Sequence, residues 1–176
     1  MGMKVLIVGG GGREHALAWK LSRDDPNIEL LAAPGNPGIA SLARCAPIGA
    51  DKIKDLAHLA EEERVDLTIV GPETPLEAGI VNHFNTRGLP IFGPTREAAR
   101  IETSKRFAKE MMVRAGIPTA RAVQHSDAKA AKAALADFGS PVVIKASGPA
   151  GAKGVSGARK AAQAGRASGR SARARE

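Results

Sequence analysis

A parallel α/β fold is what this sequence predicts, and three observations predict it. Short apolar runs recur at 4–8, 28–32, 66–70 and 89–92, too apolar for a strand with one face in water. Each run is closed by turn residues: Gly9-Gly10-Gly11-Gly12, Pro34-Gly35-Asn36-Pro37-Gly38, Gly71-Pro72 and Gly93-Pro94. Between them lie stretches with helical spacing. Strand and helix in alternation require crossovers that lay helices on both faces of a parallel sheet.

Lys4-Val5-Leu6-Ile7-Val8 predicts a buried first strand running into the glycine turn. Glu14 to Arg23 predicts a helix, with Leu17 and Leu21 on one face. Ile28 to Ala32 predicts the second strand. Asp51 is placed to cap a helix whose apolar stripe is Ile53, Leu56, Ala57 and Ala60. Asp66 to Val70 predicts the third strand, Leu76 to Thr86 one helix, and Leu89 to Phe92 the fourth strand.

A second unit is expected from Thr103. Thr103 or Ser104 caps a helix carrying Phe107, Met111 and Ala115, which Gly116 and Pro118 stop. Ala120 to Gln124 is expected to be extended. Asp127 is placed to cap a helix whose inner face is Ala131, Ala134, Leu135 and Phe138. Pro141 to Ala146 predicts a strand that enters the glycine-rich loop 147–154. Residues 156–176 hold no apolar side chain larger than alanine, so no fixed tertiary position is expected there.

Composition limits the function classes. Hydrophobic residues make up 43% of 176, enough for a core. No run approaches the roughly 18 apolar residues of a membrane span, and the first residues do not read as a signal peptide. Cys45 is the single cysteine, so no internal disulfide forms; this fits a cytoplasmic location. The net charge of +8 is concentrated at one end: 156–176 holds five Arg and Lys160 against Glu176, leaving +3 for the rest. With aromatics at only 3%, that pattern argues against a nucleic-acid-binding body.

The chemistry sits at strand ends. Gly9-Gly10-Gly11-Gly12-Arg13-Glu14 forms a strand–glycine loop–helix unit on a Rossmann-like sheet. It suits either close approach to an anion or a tight turn. The dinucleotide fingerprint fails: started at Gly9 it needs glycine where Glu14 stands, and started at Gly10 where His15 stands. Arg13 offers paired donors to a phosphate; alternatively Arg13 and Glu14 are a solvated helix start, with Glu14 favourable to the dipole. Gly71-Pro72-Glu73 follows a strand, where open parallel sheets bind ligands, and equally suits a rigid turn. His58, His83 and His125 lack metal-site spacing. Lys145 ends a buried strand and needs an anion or solvent for its ammonium. Lys153 is followed by Gly154, so no Walker A motif is present. Lys105 is a further cation, or simply exposed in a first turn.

Taken in order, several blocks resemble the phosphoribosylamine–glycine ligase family. They are Lys4 through Leu21, Ala33-Pro34-Gly35-Asn36-Pro37-Gly38, Asp66 through Leu76 and Ile91-Phe92-Gly93-Pro94-Thr95. Ser104-Lys105, Gly116-Ile117-Pro118-Thr119-Ala120 and Val143-Ile144-Lys145-Ala146 continue the series. The likeness spans about 3–155. It implies a Rossmann-like pre-ATP-grasp domain over 1–102, the incomplete start of an ATP-grasp domain over 103–155, and a basic low-complexity tail over 156–176. The implied reaction, part of purine biosynthesis, is ATP-dependent ligation of glycine to 5-phosphoribosylamine. ATP phosphorylates the glycine carboxylate and the amine attacks the acyl phosphate, with magnesium or manganese as cofactor. By resemblance Lys105, Lys145, Gly148, Gly151, Lys153 and Gly154 meet ATP. Gly9, Gly10, Gly11, Gly12, Arg13, Glu14, Pro72 and Glu73 border the phosphoribosylamine site.

The loop at 147–154 departs from the family pattern at Pro149, which removes an N–H and stiffens the backbone. Beyond Val155 the likeness ends, and the segment reads as a shifted reading frame or an unrelated terminus. The 176 residues are accordingly expected to be an inactive, monomeric fragment acting on small molecules, with no nucleic-acid or membrane partner. The competing readings are a non-catalytic nucleotide- or phosphate-binding domain, an NAD-type oxidoreductase domain and a basic binding protein. Glu14 and the lack of an acidic end to the second strand disfavour the oxidoreductase. Biotin carboxylases share the implied architecture, and the blocks at 9–15 and 71–76 point away from them.

Overall fold

The computed structural model describes residues 2–123, 125, 128–138, 142–145 and 155–158. The chain divides into two compact units, Met1–Arg100 and Ile101–Glu176.

In the first unit, β1 (Lys4–Gly9), β2 (Glu29–Pro34), β3 (Arg44–Cys45), β4 (Leu67–Val70) and β5 (Ile91–Phe92) form one five-stranded sheet. The order is β3-β2-β1-β4-β5 and every pairing is parallel. β1 lies in the middle: Val5 pairs with Leu30 and Leu67, and Val8 with Ala33 and Val70. This is the α/β parallel sheet that the alternating pattern predicts.

Side chains alternate across the sheet. Leu6, Val8, Leu31, Ala33 and Val70 face one layer, packing with Leu56, Ala57 and Ala60 of α2 (Ile53–Glu62) and with Ile80, Val81 and Phe84 of α4 (Ile80–Thr86). Val5, Ile7, Leu30 and Ala32 face the other, against Ala18 of α1 (Gly12–Asp24) and Ile39. Each large side chain so buried stabilises the fold by about 1.5–3 kcal/mol relative to exposure. Arg87 ties the end of α4 to α2 through two hydrogen bonds of 2.8 Å to Glu61.

Two expectations for this unit need correction, and two elements were missed. The stretch read as one helix over 76–86 is two, α3 (Glu73–Ala78) and α4, because Gly79 at φ +89 breaks the ladder between them. Asp51 does not cap α2: the capping position is Lys52, which places the Asp51 side chain one residue too early. The strand at Arg44–Cys45 and α5 (Arg96–Thr103), which ends just before the second unit's first cap, were not anticipated.

In the second unit, α6 (Lys105–Arg114) is capped by Ser104, whose Oγ accepts from the Phe107 N–H at 3.3 Å. Of the two candidate caps, Thr103 instead closes α5. Lys109 Nζ donates to Thr119 Oγ1 at 2.5 Å and to the Ala120 carbonyl at 2.6 Å, holding the segment after α6. α7 (Ala128–Phe138) brings Phe138 against Val142 and Ile144 of β6 (Val142–Lys145). β6 pairs antiparallel with β7 (Val155–Ala158), with Lys145 opposite Val155 and Val142 opposite Ala158. Ser156, Gly157 and Ala158 therefore belong to a strand and not to the expected structureless tail. A ladder uses backbone groups, so small side chains suffice. Gln124, Asp127, Gly139, Pro141, Ala146, the loop 147–154 and residues 159–176 lie outside the described residues. No helix among the described residues is long and apolar enough to cross a membrane.

Candidate functional site

Parallel strands end together, so the loops after β1, β2 and β4 share one edge of the first unit's sheet. After β1 the chain turns at Gly9, at φ +126, and enters α1 with Gly11 as cap residue. Glycine has no side chain to cap with. Glu14, at the third position of α1, reaches back instead: its Oε2 accepts from the Gly11 N–H at 2.5 Å.

Glu14 is only 3% exposed. Its carboxyl group lies between Gly9 and Gly71: a Cβ on Gly9 would stand 2.8 Å from Glu14 Cδ, and one on Gly71 would overlap Glu14 Oε1. Oε1 is buried with no hydrogen-bond partner among the described residues. The reading of Glu14 as a solvated helix start is thereby corrected; the absence of side chains at Gly9 and Gly71 lets the carboxylate sink between β1 and β4.

The β2 loop is tied to the β1 loop by backbone and side chain. Gly35 N–H donates to the Gly9 carbonyl at 3.1 Å, and Asn36 Nδ2 donates to the Gly10 carbonyl at 2.9 Å. Asn36 Oδ1 accepts from the Ile39 N–H at 2.9 Å, so one side chain fixes both turns. A Cβ on Gly38 would stand 2.5 Å from the His15 ring, so the β2 loop also rests against α1.

The β4 loop is tied by charge. Arg13 pairs with Glu73 Oε1 at 2.9 Å, with both side chains substantially exposed. The Glu73 carboxyl is held below its ordinary range, first by its own backbone N–H at the start of α3 and then by the Arg13 guanidinium. Pro72 precedes α3 in extended conformation, with its Cδ against the Gly9 turn.

Gly9 to Glu14, Pro72 and Glu73 are thus brought together at one edge. Asn36, Gly35 and Gly71 join them but were not among the expected site residues; Asn36 in the Pro34–Gly38 turn is the sequence signal that marked the place. In the second unit, Lys105 is the exposed first residue of α6, and Lys145 is the last residue of β6, opposite Val155. Gly148, Gly151, Lys153 and Gly154 lie outside the described residues, in the connection between β6 and β7. No group of three or more His, Cys, Asp or Glu placed to hold a metal occurs among the described residues.

Comparison with known proteins gives two family matches: phosphoribosylglycinamide synthetase, N domain, over residues 3–102, and phosphoribosylglycinamide synthetase, ATP-grasp (A) domain, over 103–170. The second runs past Val155. The chain is 50% identical over 155 residues to a phosphoribosylamine–glycine ligase of Xanthomonas campestris, covering 87% of this chain and 36% of the relative. It is also 50% identical over 153 residues to that of Caldanaerobacter subterraneus, covering 87% and 37%. It therefore spans little more than a third of these relatives' length. The solved phosphoribosylamine–glycine ligase of Thermotoga maritima matches with a TM-score of 0.73 at 27% identity, covering 93% of this chain and 38% of that one. An N5-carboxyaminoimidazole ribonucleotide synthetase, solved as an ADP complex, matches with a TM-score of 0.71 at 22% identity, covering 98% and 45%. At that identity the likeness speaks to the fold alone.

Proposed function

Because this chain belongs to the phosphoribosylamine–glycine ligase family, we propose that its first unit binds 5-phosphoribosylamine and its second unit begins an ATP site. Together they would serve the ligation of glycine in purine biosynthesis. The observation that carries this reading is the convergence of Gly9–Glu14, Asn36 and Pro72–Glu73 on one edge of a parallel sheet, where ligands of such sheets bind.

The described residues do what positioning requires. Glu14 and Asn36 hold the β1 loop in one shape before any ligand arrives, and Arg13 and Glu73 place donors and acceptors at its rim. In the second unit, Lys105 and Lys145 are the cations assigned to nucleotide phosphates, with the glycine-rich connection 146–154 beyond Lys145. ATP when bound would supply the phosphoryl group that makes the glycine carboxylate electrophilic. Magnesium or manganese belongs to the implied reaction, but the described residues supply no group of three or more His, Cys, Asp or Glu to hold it. A cytoplasmic monomer acting on small molecules completes the reading.

The test is an amide-resolved NMR titration of the 176-residue chain with glycinamide ribonucleotide, the reaction product, and separately with ATP. Saturable shifts at Gly10–Arg13, Gly71 and Glu73 with the first ligand, and around Lys105 and Lys145 with the second, are expected. Product-induced shifts that avoid the strand edge at millimolar ligand would sink the assignment of the site.

A further inference from the structure

We infer that Arg96, at the start of α5, is a positioning residue: it grips the elbow between α3 and α4 and so fixes where Pro72 and Glu73 stand at the sheet edge. The inference rests on the proposed phosphoribosylamine site, of which those two residues are part.

α3 is six residues long, about 9 Å, with Glu73 at one end and Ala78 at the other. A helix this short pairs few of its own backbone groups and depends on what holds its ends. Gly79 closes α3 at φ +89 and is at the same time the capping residue of α4. It has no side chain with which to cap either helix. Arg96 supplies the missing donor: its Nη2 donates to the Ala78 carbonyl at 2.5 Å. A Cβ on Gly79 would stand 2.9 Å from Arg96 Nε and Nη2, so the guanidinium lies directly over the elbow. Arg96 is exposed, but its backbone is held as well as its side chain. Asn82, in the first turn of α4, accepts from the Arg96 N–H at 2.8 Å and donates from Nδ2 to Glu97 Oε2 at 3.1 Å. The turn after β5 closes the grip: a Cβ on Gly93 would stand 3.0 Å from Leu76 of α3 and 3.3 Å from Val81 of α4. The far end of α3 is thus clamped, and a short helix carries a displacement of one end to the other. At that other end Glu73 meets Arg13 at 2.9 Å, a pairing that depends on where α3 begins.

The test is made by NMR on the whole chain, with Glu73 followed through its carboxyl carbon and affinity read from titration with glycinamide ribonucleotide. In Arg96→Ala the Glu73 titration midpoint is expected to rise toward the ordinary carboxylate value as its pairing with Arg13 loosens. Ribonucleotide affinity is expected to fall about three- to tenfold. Arg96→Lys, which keeps one donor for the Ala78 carbonyl, should restore most of both. A purely structural Arg96 would lower the melting temperature of the first unit and leave the Glu73 titration and the affinity where they were; that result overturns the inference. Where Arg96→Ala does not fold, Asn82→Ala decides: it releases the Arg96 N–H and must move Glu73 in the same direction, and an unmoved Glu73 there counts equally against the inference. If the unsubstituted chain binds no ribonucleotide, the site proposal fails and Arg96 no longer positions a substrate edge. An unmoved Glu73 in a chain that does bind overturns this inference alone.

Discussion

A buried carboxylate wedged between two glycines makes sharp demands on its neighbours. Gly71→Ala places a methyl group on Glu14 Oε1, and overpacking of this kind costs about 1–3 kcal/mol. Urea denaturation should show that loss. Glu14→Ala in the same chain should recover part of it, since residues in contact are not additive. A second prediction concerns Glu73, whose folded value lies below the ordinary 4.5. A depressed carboxylate contributes stability that is present above the unfolded value and is lost as pH falls through the folded one, so the effect appears only below about pH 4.5. With its partner Arg13 well exposed, the contribution is under about 1 kcal/mol. In Arg13→Ala the Glu73 titration, followed by carboxyl carbon shifts, should move part of the way back. The Glu73 backbone N–H, the larger cause, remains. Little of this was legible in the sequence. Arg13, Glu14 and Glu73 stood out as polar residues at strand ends, but the burial of Glu14 depends on Gly71, 57 positions away, and no local pattern reports that contact.

Helices and strands were easier to read where burial is complete. Val5–Val8 and Leu30–Ala33 have both faces covered, so each appears as an unbroken apolar run. The division at Gly79 was hidden because apolar residues continue at helical spacing through Leu76, Ile80 and Phe84, whichever helix they sit in. β3 has two residues, too few for a periodic signal, and β7 is paired through its backbone under a sequence of small side chains. Phe84 is fully buried against the sheet, and Phe84→Ala should cost about 3–5 kcal/mol in chemical denaturation of the first unit. Ser104→Ala removes the acceptor for the Phe107 N–H and should cost about 1 kcal/mol. Faster hydrogen exchange at Phe107, with the first unit's melting unchanged, is the expected readout.

At the scale of the molecule, the first unit owns a core on each face of its sheet, which is why its architecture could be inferred from alternation alone. On the proposed reading, catalysis would draw on the second unit as well. Mixed with ATP, magnesium, glycine and phosphoribosylamine, the 176-residue chain is expected to release no ADP above background. Turnover abolished by Lys145→Ala would show the site to be complete within these residues. The central position of β1 has a consequence during synthesis. β1 is made before its partners: β2 follows about 25 residues later, but β4 and the covering Phe84 are encoded some 60–80 residues later. At about 5–20 residues per second, the apolar run Val5–Val8 waits on the order of 3–16 s for β4 and Phe84. Until then the Leu6 and Val8 face of β1 lacks its Val70 and Phe84 cover in the nascent chain, and yield in cells should follow the supply of ribosome-bound chaperones more closely than the stability of the finished fold.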